Sequence, residues 1–78
     1  MGFGKRLYTE RKGLNLTAAM LAKKCGVSRS YITLIENDKR LPSTKVLSKI
    51  TSALNLQTSI VLNWYLEDIR YKIQKKLK

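Results

Sequence analysis

The chain has no histidine and a single cysteine, Cys25. Those absences exclude an internal disulfide framework, a zinc site built from Cys and His, and a Cys–His nucleophile pair. Acidic residues are also few. The five Asp and Glu are scattered and include no evident carboxylate pair for general acid–base work, so neither an enzyme nor a cofactor or metal is expected. No apolar run approaches the length of a membrane span, and the opening MGFGKRLYTERK holds no apolar segment of the signal-peptide kind. Gly2 does not open a myristoylation signal, because position 6 is Arg. A cytoplasmic protein with no membrane partner is the expectation. In that setting the sequon-like Asn15-Leu16-Thr17 is a chance match.

What the chain does have is positive charge. Sixteen Lys and Arg against five Asp and Glu leave a net charge of +11 on 78 residues. Solubility would be served by a magnitude of about 2–8. The surplus points to a polyanionic partner, with nucleic acid ahead of an anionic membrane surface.

The most informative stretch is Leu16 to Arg40, LTAAMLAKKCGVSRSYITLIENDKR. Thr17 can cap a helix made of the good helix formers from Ala18 to Cys25. Gly26 can end that helix in a left-handed conformation at no steric cost. Val27 is an apolar plug, and Ser28 can cap a second helix running to about Asn37. Ile32 and Ile35 share a face with Val27, while Arg29, Ser30, Thr33 and Leu34 point elsewhere. Two short helices around a Gly-containing turn, the second with a polar outer face, make the helix-turn-helix layout.

The string Leu21-Ala22-x-x-x-Gly26-Val27-Ser28, followed by Ile32-x-x-Ile35-Glu36-Asn37-x-Lys39-Arg40-x-Pro42-Ser43, resembles the helix-turn-helix family of lambdoid phage repressors and Cro, also called the xenobiotic-response-element family. The likeness runs from about Phe3 to Leu62. It implies an all-α, compact five-helix DNA-binding bundle, with helices 2 and 3 as the helix-turn-helix, and a transcriptional regulator. It also implies that Arg11 pairs with Glu36, a role suited to a guanidinium that grips a carboxylate with two bonds. Cys25 stands where the family carries an apolar core residue, so a buried thiol is expected. Where the family usually has Gly, this chain has Asp38, which predicts either an unfavourable conformation there or a turn shifted by one. Where the family usually has a phosphate-bracing Gln, this chain has Ala18, which leaves only the backbone N–H for that contact.

Elsewhere the pattern predicts a first helix over residues 3–14, buried along Phe3, Leu7 and Leu14 and ended by Asn15. Pro42 disfavours helix at Leu41, and Ser43 can cap a fourth helix from Thr44 to Leu54 that buries Val46, Leu47, Ile50, Ala53 and Leu54. Asn55 ends it and Leu56 covers its end. The fifth helix opens at Thr58 and continues to Lys78, beyond the usual end of the family. Its stripe Leu62, Leu66, Ile69, Ile73, Leu77 is coiled-coil-like over about two heptads. Three uses compete for it: folding back on the body, pairing with a second subunit, or lying on a membrane, with packing inside protein preferred. Residues 1–62 therefore read as the DNA-binding domain and 63–78 as a helical extension for packing or dimerisation.

An α-helix fits the major groove, where base edges differ in donors and acceptors. Exposed residues near the start of the second helix of the motif are the readers: Arg29 for guanine N7 and O6, Ser30 and Thr33 as donors or acceptors, and Leu34 for a thymine methyl. Phosphate contacts are assigned to Thr17, Ala18, Lys23, Ser28, Tyr31, Asn37, Lys39 and Arg40, which set register and salt dependence without reading sequence. The expected function is a sequence-specific repressor that binds a palindromic operator in double-stranded DNA as a homodimer, its two recognition helices about 34 Å apart. The alternative is an antitoxin-type interaction module, which would use Trp64, Tyr65, Leu66 and Ile69 of its C-terminal helix to hold a protein partner.

Overall fold

Local chemistry sets most of the helix boundaries. In the computed structural model, which describes residues 2–77, these are α1 Phe3–Gly13, α2 Ala18–Cys25, α3 Arg29–Glu36, α4 Thr44–Ala53 and α5 Thr58–Lys76. Three starts rest on a hydroxyl that accepts a backbone N–H three residues on: Thr17 from Met20 at 3.0 Å, Ser28 from Tyr31 at 3.1 Å and Ser43 from Val46 at 3.3 Å. Each satisfies one of the donors left free at a helix start.

The first four helices end alike. Asn15, Gly26, Asp38 and Asn55 all take left-handed backbone, with φ of 58°, 67°, 57° and 54°. The next residue then donates back over five positions: Leu16 to Arg11, Val27 to Ala22, Lys39 to Leu34 and Leu56 to Thr51, at 2.9–3.1 Å. This wrap satisfies orphan carbonyls and turns the following side chain inward. Leu16, Val27 and Leu56 accordingly pack half-buried on the core. The core itself joins Phe3 and Leu7 of α1, Leu21, Ala22 and Cys25 of α2, Ile32 and Ile35 of α3, Leu47 and Ile50 of α4, Leu54, and Val61 of α5. No strand occurs among the described residues, and no helix there is long and apolar enough to cross a membrane.

Some expectations need correction. Leu14 is half-exposed, because α1 stops at Gly13 and the chain has left the body before Leu14 can turn inward; the buried Arg11 occupies that end of the stripe instead. Val46 and Ala53 lie at the margin of the core, partly buried. Trp64 and Tyr65 are not part of an exposed cluster. Tyr65 sets its ring edge-on to Phe3, centroids 6.0 Å apart, and donates its hydroxyl to the Pro42 carbonyl at 3.2 Å. The Arg6 guanidinium lies over Trp64, 5.9 Å from the ring centre. The inward face of α5 is therefore Val61, Trp64, Tyr65 and Asp68, and Lys78, at the far end of the expected helix, lies outside the described residues.

Candidate nucleic-acid interface

The position of α3 is fixed by two attachments to α1. Arg11 is buried and donates from Nε to Glu36 Oε2 at 2.7 Å, from Nη2 to Glu36 Oε1 at 3.0 Å, and from Nη1 to the Leu16 carbonyl at 2.7 Å. The hydrogen bond to Glu36 holds the guanidinium still more firmly protonated than usual, against the opposing effect of burial. The second attachment has no local signature in the sequence. Asp38 Oδ1 accepts from the Gly4 N–H at 3.0 Å and so caps α1 from 34 residues away. Gly2, the N-cap residue of α1, has no side chain to do this. The approach is so close that a Cβ on Gly4 would stand 2.4 Å from the Ile35 carbonyl oxygen and 2.6 Å from that of Glu36. Asp38 thus keeps its left-handed backbone, as the first of the two expected alternatives had it, and the cap compensates the strain.

With its rear held, α3 presents Arg29, Ser30, Thr33 and Leu34 outward, where the four together line one shallow depression. Their chemistry is not equally free. Thr33 Oγ1 donates to the Arg29 carbonyl at 3.1 Å, so Thr33 offers outward an acceptor lone pair and a methyl group. Leu34 is 42% exposed, an apolar tip that the protein covers only in part. Arg29 and Ser30 are exposed in the first turn.

Around this face, Lys23, Asn37, Lys39 and Arg40 are exposed and Ala18 is half-buried. Tyr31 is half-buried against the core, its ring covered by the Arg40 guanidinium at 5.2 Å. Thr17 and Ser28 use their hydroxyls for capping, which leaves the other first-turn N–H groups of the two helices without an intrahelical partner. Lys24 and Lys49, both exposed, frame a second hollow with Ser52 and Ala53. Negative charge is kept away. No acid occurs from Arg11 to Ile35, and four of the five acids are engaged with their own chain: Glu36 with Arg11, Asp38 with Gly4, Glu67 with Arg6 at 3.1 Å, and Asp68 with Lys72 at 3.4 Å. A basic surface with so few acids attracts a polyanion.

Cys25 has no part in this surface. It is fully buried, and burial pushes its thiol up from the ordinary range, which makes it inert.

Residues 7–61 match the helix-turn-helix family. The chain belongs to that family. It is 40% identical over 58 residues to the ImmF control region 10 kDa protein of Bacillus phage phi105, a match covering 74% of this chain and 64% of that protein. It is 39% identical over 62 residues to the immunity repressor protein of the same phage, covering 80% of this chain and 43% of that one. The matches thus span less than two thirds of either relative's length. Among solved structures it is similar to the P22 c2 repressor protein, determined in complex with synthetic operator 9T, with a TM-score of 0.76 and 28% identity over 82% of this chain and 97% of the other. In this helix-turn-helix chain the second helix of the motif is α3, and the face carrying Arg29 is its outer one.

Proposed function

We propose that this chain is a sequence-specific transcriptional repressor that binds a palindromic operator in double-stranded DNA as a homodimer. The observation that carries the reading is the outward face of α3, where Arg29, Ser30, Thr33 and Leu34 meet in one depression on a chain of net charge +11. Arg29 reads guanine by two bonds, Ser30 donates or accepts, and Thr33 and Leu34 discriminate through an acceptor and apolar contact with thymine methyls. Thr17, Ala18, Ser28, Tyr31 and Asn37 approach phosphates alongside Lys23, Lys39 and Arg40, whose charge makes affinity fall with salt. The relatives' names support a repressor over an activator.

In this reading residues 1–62 form the DNA-binding domain and 63–78 its pairing extension, anchored to the body by Trp64 and Tyr65. The test is selection from a random duplex pool with the parent chain, Arg29→Ala and Lys39→Ala. The parent should select a palindrome. Arg29→Ala should lose about 1–3 kcal/mol of discrimination at one base pair per half-site, and Lys39→Ala should weaken all sequences alike and lower the salt slope by about one. Equal loss on every sequence for Arg29→Ala removes it as a base reader, and no selection at modest salt removes the proposal.

A further inference from the structure

Three of the five acids of this strongly basic chain meet in one place. Asp38, Glu67 and Asp68 line a cleft of about 570 Å³ between the start of α1 and the flank of α5, together with Gly2, Tyr71 and Lys72. Negative potential collects there, on a molecule that is positive elsewhere. The carboxylates are not held equally well. Asp38 Oδ1 caps Gly4, and Glu67 Oε2 pairs with Arg6 Nη2 at 3.1 Å. The side chain of Asp68 is only 9% exposed, yet its Oδ2 accepts no hydrogen bond among the described residues. Lys72 Nζ stands 3.4 Å from that oxygen, near enough to attract but not aligned to donate. A buried acceptor without a donor is costly, and this one borders a cleft with room for a donor from outside.

We propose that this cleft binds a linear aliphatic di- or polyamine, one ammonium donating to Asp68 Oδ2 and another lying toward Asp38 and Glu67. The proposal is independent of the DNA reading above. Three observations select this chemistry. First, no three Asp, Glu or Cys among the described residues stand close enough to hold a metal ion, so the carboxylates are spread along the cleft rather than converging on one point. Spread acceptors suit a cation whose charges are spaced along a chain. Second, the volume is that of a small-molecule site, which typically runs from about 300 to 1,000 Å³. Third, Tyr71 lines the cleft at 63% exposure, and its ring offers a surface to methylene groups and to a cation alike.

Lys72 is the internal competitor. It is the one cation lining the cleft, its side chain is 46% exposed, and it is tied only by the loose pair with Asp68, so it can swing into solvent as an amine takes its place. Asp38 gives the cleft a link to α3. The same carboxylate borders the cleft and caps Gly4, so an occupied cleft steadies the junction of α1 with the end of α3.

The experiment is calorimetric titration of the full chain, without DNA and at matched ionic strength, with spermidine, putrescine, butylamine and magnesium chloride. The parent should bind spermidine and putrescine saturably, one per chain, and its thermal midpoint should rise with either. Asp68→Asn should weaken both by at least about tenfold while its midpoint without amine stays that of the parent. Glu67→Gln, at a half-exposed position, should weaken them as well and serves if Asp68→Asn unfolds. Lys72→Met should tighten binding several-fold, whereas Lys75→Met, the same change of charge outside the cleft, should leave it unaltered. Absence of saturable binding by the parent overturns the proposal and leaves Asp68 to water. Parent-like affinity in both acid variants, or equal tightening by the two lysine variants, overturns it in favour of diffuse attraction. Butylamine binding as tightly as putrescine overturns the diamine in favour of a single ammonium, such as a partner's lysine, and magnesium binding as tightly as putrescine overturns it in favour of a metal.

Discussion

Removing Glu36 is the sharpest test of how this molecule is held together. Glu36→Ala deletes both carboxylate partners of Arg11, at 2.7 and 3.0 Å, and leaves the guanidinium with the Leu16 carbonyl and the Tyr8 ring, 5.2 Å from its centre. Both side chains of the pair are only 8% exposed, so water cannot replace the lost acceptor without opening the body. Breaking a buried pair from one side costs about 3–5 kcal/mol, because a charge is left without compensation. A domain of this size has about 5–15 kcal/mol in total, so the variant should sit near the edge of folding. Its midpoint by circular dichroism should fall by roughly 12–40 °C, at about 4–8 °C per kcal/mol. Glu36→Gln keeps an acceptor and should lose less. Replacing both residues together by methionine should recover much of the loss, since a buried ion pair contributes little over well-packed apolar side chains. An unchanged midpoint for Glu36→Ala would refute the argument, and so would a double variant no better than the single one.

Three further substitutions probe the junction of α1 and α3 by urea denaturation. Asp38→Ala loses the cap on Gly4 yet keeps the left-handed strain and should cost about 1–2 kcal/mol. Asp38→Gly loses the same cap but relieves the strain and should stay within about 0.5 kcal/mol of the parent; equal values for both variants would show that backbone strain has no part at this site. Gly4→Ala should destabilise by about 1–2 kcal/mol, its overpacking against two backbone carbonyls exceeding the gain in helix propensity. A Gly4→Ala chain more stable than the parent would rule out the close approach.

The parts legible in the sequence are those whose cause is local. Thr17, Ser28 and Ser43 cap because a hydroxyl sits one residue before a run of helix formers, and Asn15, Gly26 and Asn55 turn left-handed because their side chains allow it. The outer face of α3 follows from the same local logic, since Ile32 and Ile35 can face only one way. What stayed hidden depends on meetings distant in the chain. Nothing near Asp38 announces that it caps a helix beginning at Phe3, and the glycines at 2 and 4 gain meaning only from the carbonyls of α3. The facing of α5 was ambiguous for a different reason. Apolar residues lie around much of its circumference, so periodicity offers more than one stripe. Phe3 and the Pro42 carbonyl decide the matter by receiving Tyr65, which leaves Leu66 and Ile73 outside.

The two clamps between α1 and α3 also govern how the molecule can come apart. A two-turn helix tied at Glu36, and through Asp38 just past its end, to its neighbour α1 cannot fray by itself, because loosening it strands a guanidinium and uncaps α1 at once. Local opening of α3 is therefore nearly as costly as global unfolding. The final turns of α5, which touch little of the body, can melt and re-form on their own while the rest stays intact. Rigidity is concentrated in the rod that carries Arg29, and the freedom to adjust is left at the opposite end of the chain.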